Sequence, residues 1–201
     1  MAITTFAAID IGSYDLEMKI FEMSGKGGMK QIDDIRYRLD LGSDTYAEGK
    51  VPYGTVNELC GILKEFQTIM KSYKVSDYKA YGTSAVRETK NTKILLDQIR
   101  QRTGIKIDVL SNSEQRFMDY KSIASKTEDF DKMVEKGTAI VDIGGGSIQI
   151  SLFEKGSLIS TQNMRLGVLR LQERLNRLDA ASSKIEGLID ELATAQLSVF
   201  K

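Results

Sequence analysis

No histidine occurs anywhere in this chain, and that absence excludes more chemistry than any other feature of its composition. Serine–histidine triads, histidine-ligated zinc and histidine metal-phosphohydrolase centres all drop out. Reactive groups must come from carboxylates, hydroxyls, backbone amides, Lys, Arg or a hard metal ion. Cysteine is nearly absent as well: the lone Cys60 forbids an internal disulfide or a thiolate metal cluster, which fits a reducing compartment. Neither sign of charge dominates. With 28 Lys and Arg against 28 Asp and Glu, the chain carries no electrostatic footprint for duplex nucleic acid or an anionic membrane, so any phosphate has to be bound locally. No apolar run approaches the roughly 20 residues that span a bilayer, and Met1 to Thr4 lacks the pattern of a signal peptide. A soluble, cytoplasmic protein is expected.

What the 201 residues do contain is an internal repeat. Sliding the sequence by 132 positions sets Ile9-Asp10-Ile11-Gly12 on Val141-Asp142-Ile143-Gly144 without a gap. Leu16, Met18 and Ile20 then fall on Ile148, Ile150 and Leu152, and Phe21-Glu22 on Phe153-Glu154. Each segment reads as an apolar strand ending in Asp, a glycine turn, and a strand alternating apolar and polar residues. The spacing is too long for a solenoid and suits two related domains.

Between the copies, Ile35, Tyr37, Leu39 and Leu41 alternate as a third strand, and Gly42 to Pro52 reads as a polar loop. Val56, Leu59, Cys60, Leu63, Phe66 and Met70 then recur at helical spacing, which makes Cys60 a core residue rather than a reactive thiol. A strand near Tyr78 to Gly82, a helix around Ile94 to Ile99, a strand with Ile105, Ile107 and Val109 on one face, and a helix from about Asn112 complete the unit. Three strands followed by helix, strand, helix, strand and helix is the order of an α/β ribonuclease-H-like domain with a mixed sheet. It is assigned to residues 1–134. Residues 135–201 read as a second, partial copy: the hairpin, a strand around Leu158 to Thr161, a helix from about Leu166, and a last helix bearing Ile185, Leu188, Ile189, Leu192 and Val199. The chain is expected either to be part of a larger protein or to cap a half-built sheet with its last helices.

Four segments carry chemistry. Asp142-Ile143-Gly144-Gly145-Gly146-Ser147 places three glycines between two strands, so that backbone N–H groups reach a phosphate unobstructed and Ser147 adds a hydroxyl. Asp142 at the strand end suits magnesium or another divalent cation, and Asp10 holds the same place in the first copy. The shorter Asp10-Ile11-Gly12-Ser13 turn offers a second grip, so that the two loops together would make a clamp; alone it equally reads as a plain turn. Thr83-Ser84-Ala85-Val86-Arg87-Glu88 follows a strand and opens a helix, presenting N–H groups and the Arg87 guanidinium to an anion; a helix cap with a surface arginine is the structural alternative. Ser111-Asn112-Ser113-Glu114 is a capping box by pattern, yet Glu114 there could also orient a water in line with a bound phosphate.

Taken in order, these segments, together with Asn91, Gln115-Arg116 and Leu166-Gly167-Val168-Leu169-Arg170, resemble the signature of the exopolyphosphatase/guanosine pentaphosphate phosphohydrolase (Ppx/GppA) family over residues 5 to about 172. The resemblance implies an actin-like fold of two ribonuclease-H-like domains, of which this chain carries the N-terminal portion. It also implies a divalent metal such as Mg2+, and removal of terminal phosphate from polyphosphate or a guanosine polyphosphate by water. The family's catalytic glutamate falls on Glu114 when Glu114-Gln115-Arg116 is set on Glu-Ala-Arg; an ungapped alignment from Ser111 puts Gln115 there instead. Its phosphate-contacting arginine falls on Arg87, and its glycine loop on Gly144, Gly145, Gly146 and Ser147, with Ser13 on the first loop.

Tyr14-Asp15 and Ile148-Gln149 depart from the family pattern, the first crowding an entrance and the second replacing a metal-binding carboxylate by an amide. Hydrolysis of phosphoanhydride bonds is therefore the leading expectation and a non-catalytic phosphate or nucleotide sensor the alternative, with an ATP-using kinase or chaperone-like activity third. The apolar last helix and an incomplete second copy lead to the further expectation of a homodimer.

Overall fold

The computed structural model describes residues 3–25, 28–178 and 184–198. By its contacts the chain falls into two units, Met1–Leu110 and Ser111–Lys201. In the first, β1 (Thr4–Ile11), β2 (Asp15–Ser24) and β3 (Gly28–Arg38) pair antiparallel, while β4 (Asp77–Gly82) joins β1 and β5 (Asp108–Val109) joins β4 in parallel. The strand order β3-β2-β1-β4-β5 is the ribonuclease-H-like arrangement, the building unit of the actin-like fold. Alternation drives it: Leu16, Met18 and Ile20 on β2 are fully buried, and Ile9 and Ile11 on β1 join them. Helix α2 (Tyr53–Ser72) lays its predicted stripe, including Leu59, Leu63 and Phe66, into the same core. Cys60 lies in that stripe at 1% exposure, and burial raises its thiol pKa, so it is an inert core residue. The short α3 (Ser84–Glu88) and α4 (Thr92–Thr103) follow, and Leu95 and Ile99 of α4 also enter the core.

Two expectations change. Gly42 to Pro52 is not a loop throughout, because α1 (Leu41–Glu48) occupies most of it and takes Leu41 away from the third strand. Its eight residues, with three of them buried, have too weak a periodicity to stand out from a polar connection. The strand expected at Ile105, Ile107 and Val109 pairs only over Asp108–Val109, although Ile105 and Ile107 are buried as the alternation requires.

The second unit opens with α5 (Asn112–Lys126) and α6 (Phe130–Glu135), followed by the antiparallel sheet β6 (Thr138–Ile143), β7 (Ile148–Glu154) and β8 (Ser157–Met164), then α7 (Val168–Arg177) and α8 (Ile185–Leu197). Val199, expected on the last helix, lies outside the described residues. Compactness divides the chain after Leu110, whereas the repeat assigned to residues 1–134 counts α5 as the closing helix of its first copy. The difference arises because α5 binds the second sheet: Arg116 Nε donates to Gln149 Oε1 at 3.4 Å, Tyr120 OH to Ser151 Oγ at 2.5 Å, and the Tyr120 and Phe153 rings meet edge to face at 5.2 Å.

The repeat is exact in register over its first hairpin. Asp10 pairs with Glu17 and Asp142 with Gln149; Phe6 pairs with Phe21 and Thr138 with Phe153. Even the irregularity of the following strand pair recurs, between Ile20 and Phe21 in one copy and between Leu152 and Phe153 in the other.

Candidate phosphate-binding site

The two glycine turns close in the same way. Gly12 N donates to Asp15 O at 3.0 Å, and Gly144 N to Ser147 O at 2.9 Å. In each copy the helix after the third strand then braces the turn: Gly42 N donates to Ser13 O at 2.8 Å, and Leu169 N to Gly145 O at 2.9 Å. Helix α1, missed in the sequence, is thus the counterpart of α7.

The second turn makes two further bonds to its helix. Val168 N takes Gly144 O at 3.1 Å and Arg170 Nε takes Gly146 O at 2.6 Å, so three successive carbonyls of the loop are committed to the start of α7. The N–H groups of Gly145 and Gly146 find no acceptor among the described residues. A loop with its carbonyls engaged and its amides unpaired is polarised toward an anion. Close packing makes this possible, since a Cβ on Gly167 would lie 2.3 Å from Gly145 O. The Leu166–Arg170 segment therefore acts as the brace of the glycine loop, a role that its sequence did not disclose.

Beside the loop, the half-buried Asp142 receives Gln149 Nε2 at 3.4 Å, and Gln149, 2% exposed, is bound at its other end by Arg116. Asp119, three residues beyond Arg116 on the same face of α5, has a buried Oδ2 with no hydrogen-bond partner. Burial and the neighbouring charge of Asp142 push its pKa up to about 6. Sequence reading missed Asp119 because it belongs to no motif; the available signal was a carboxylate on the otherwise sheet-facing side of α5. Among the described residues no group of three or more metal-ligating side chains gathers. The Asp119–Asp142 pair, all hard oxygen donors with one of them orphaned, nevertheless suits a hard divalent cation.

Glu114 forms the capping box that its pattern allowed. Ser111 N donates to Glu114 Oε2 at 2.8 Å and Glu114 N to Ser111 Oγ at 3.2 Å, and these bonds from Ser111 hold the carboxyl below its ordinary pKa. In the first unit, Ser13 is buried in a triangle of hydroxyls with Tyr46 and Ser84, each 2.8 Å away. Arg87 Nη1 donates to Leu110 O at 2.6 Å, and burial lowers the guanidinium pKa. Asn91 ties both N and O of Val51, at 3.1 and 2.9 Å, and so braces the chain before α2. Arg38 stacks over Tyr14 at 4.5 Å, and Arg36 lies 3.4 Å from Asp15, so the charge of Asp15 is offset within its own sheet.

Comparison with known proteins adds a lineage to this geometry. A model of the Ppx/GppA phosphatase family matches residues 20–199, a span that includes the tail helices in which no motif was legible. A guanosine-5'-triphosphate,3'-diphosphate pyrophosphatase of Photobacterium profundum is 22% identical over 92% of this chain and 39% of its own length. Exopolyphosphatase 1 of Mycobacterium tuberculosis is 24% identical over 71% of this chain and 40% of its own. The chain thus spans about two fifths of these curated relatives. Among solved structures, the Aquifex aeolicus member of the family superposes with a TM-score of 0.72 at 24% identity, covering 100% of this chain and 63% of that one. An exopolyphosphatase from Cytophaga hutchinsonii gives 0.74 at 23% identity, over 85% of this chain and 53% of that one. At these identities the superpositions establish the fold.

Proposed function

Because this chain belongs to the Ppx/GppA phosphatase family, we propose that it takes part in removing the terminal phosphate of inorganic polyphosphate or guanosine pentaphosphate. The observation that carries the reading is the glycine loop, whose carbonyls are committed to α7 while the Gly145 and Gly146 amides are left for an anion. These amides, with Ser147, would hold the phosphate oxygens; in the first unit Ser13 and Arg87 are the groups proposed to bind phosphate. Glu114 accepts a hydrogen bond from the attacking water and orients it. Water oxygen forms the new bond to phosphorus, the bridging P–O bond breaks toward the shortened chain, and the water proton passes to Glu114 or to the released phosphate.

A carboxylate held ionised by Ser111 is a weak base. That suffices for a loose phosphoryl-transfer transition state, in which positioning outweighs proton abstraction. Magnesium, when bound, would supply charge neutralisation at the phosphate oxygens. Asp142 is the carboxylate proposed to hold it in the second unit, and Asp10 occupies the same repeat position in the first.

Two features favour a second reading, a non-catalytic sensor of the same polyanions: Glu114 is engaged as a helix cap, and Gln149 presents an amide to Asp142. Phosphate release from polyphosphate and from guanosine pentaphosphate, measured with magnesium for the parent chain and Glu114→Gln, separates the two. Release that disappears in the variant supports hydrolysis. Retained polyanion binding without release from either substrate supports the sensor.

A further inference from the structure

The sheet face beneath α5 is unusually polar for a buried surface. Asp142, Gln149 and Ser151 share it by register, and β8 adds Thr161 and Asn163 opposite Ser151 and Gln149. Gln149 and Ser151 are each 2% exposed, and Asp142, Thr161 and Asn163 are half-buried around them. Most of its groups are paired: Gln149 uses both ends of its amide, and Ser151 meets Tyr120 and, at 3.2 Å, Thr161. Two atoms are left over: Asp119 Oδ2, a buried carboxylate oxygen with no donor, and Asn163 Nδ2, a buried amide nitrogen with no acceptor. A buried polar atom without a partner is destabilising, because its hydration is lost and nothing replaces it. The nearby charge of Asp142 adds repulsion, which together with burial accounts for the raised pKa of Asp119. Helix α5 is fixed on either side of Asp119 by Arg116 and Tyr120, which holds the Asp119 backbone over the layer. One species relieves the orphaned oxygen and the repulsion at once, a divalent cation between the carboxylates; Gln149, held in place as an amide, brings no charge to it.

We propose that Asp119 is a ligand of the divalent cation, completing with Asp142 a two-carboxylate site within the second unit. The presence of a cation rests on the phosphohydrolase reading, whereas the choice of Asp119 rests on the geometry of α5 and β7.

Binding of Mn2+ alone to the full chain, read by electron paramagnetic resonance and calorimetry, tests this without reference to activity. The parent should bind Mn2+, and Asp119→Asn and Asp142→Asn should each weaken binding by about tenfold or more. In the Asp119→Asn background, Gln149→Glu should restore binding, because it returns a carboxylate to the layer beside Asp142. Thermal unfolding in EDTA should show Asp119→Asn no less stable than the parent, since the amide removes a buried, unpaired acid. Parent-like Mn2+ affinity in Asp119→Asn, or no Mn2+ binding by the parent, overturns the proposal. So does a loss of binding that follows a fall in stability in EDTA, which would make Asp119 a structural residue. A chain that binds Mn2+ through Asp119 yet releases no phosphate upholds the ligand assignment and sinks the hydrolase reading instead.

Discussion

In the first unit Ile9 and Ile11 are 2% and 0% exposed, whereas Val141 and Ile143, at the same repeat positions of the second, are 52% and 63% exposed. The opposite faces show the reverse. Glu17 and Lys19 lie in a solvent-facing ion network with Asp34 and Arg36, while their counterparts Gln149 and Ser151 are buried beneath α5. Two hairpins with one register therefore bury opposite faces. In the first unit the apolar face shares a core with residues of α2 and α4; in the second, a helix with polar anchors covers the polar face. Burial was decided by the covering helix rather than by the strands, and the polar layer that resulted is where the cation is proposed to be held.

The largest expected effect tests that inversion directly. Ile11→Ala should cost about 2–5 kcal/mol, while Ile143→Ala at the equivalent position should stay within about 0.5 kcal/mol. Hydrogen exchange resolved to each unit would measure both, and equal costs would break the comparison. The turns offer a second, smaller contrast. A Cβ on Gly12 would lie 2.8 Å from the backbone oxygen of Asp15, but one on Gly144 would lie 3.5 Å from that of Ser147. Gly12→Ala should therefore destabilise by about 1–3 kcal/mol, and Gly144→Ala should be nearly neutral in urea unfolding.

The cap of α5 is expected to matter less, although it governs the covering of the polar face. Ser111→Ala should cost about 1 kcal/mol and speed amide exchange in β7. Because Glu114 is held below the ordinary glutamate value of 4.5, its contribution to the cap is complete above that pH and is lost as pH falls through its folded value. Helicity of α5 should therefore fray in acid, and Glu114→Gln should remove that pH dependence. The smallest effect belongs to the exposed network: Glu17→Gln should change stability by less than about 1 kcal/mol, and high salt should shrink the difference further. A large, salt-insensitive loss would mean that this face of the first unit is covered after all.

Much of the architecture was legible in the residues. The 132-residue offset, the strand–turn–strand plan of each copy, the stripe of α2 and the Ser111–Glu114 box could all be read from residue spacing, which backbone geometry converts directly into contacts. Helix α1 was not legible from its own composition, and β5 kept only two paired residues, because in both places the outcome depends on what the neighbouring elements leave room for. The site divides along the same line. Its loop, Asp142 and Glu114 could be picked out one by one from residue type. That α7 consumes the carbonyls of the loop, that Gly167 permits the close approach, and that Asp119 lies orphaned beside Asp142 were decided by tertiary packing, since each joins residues that no local periodicity relates.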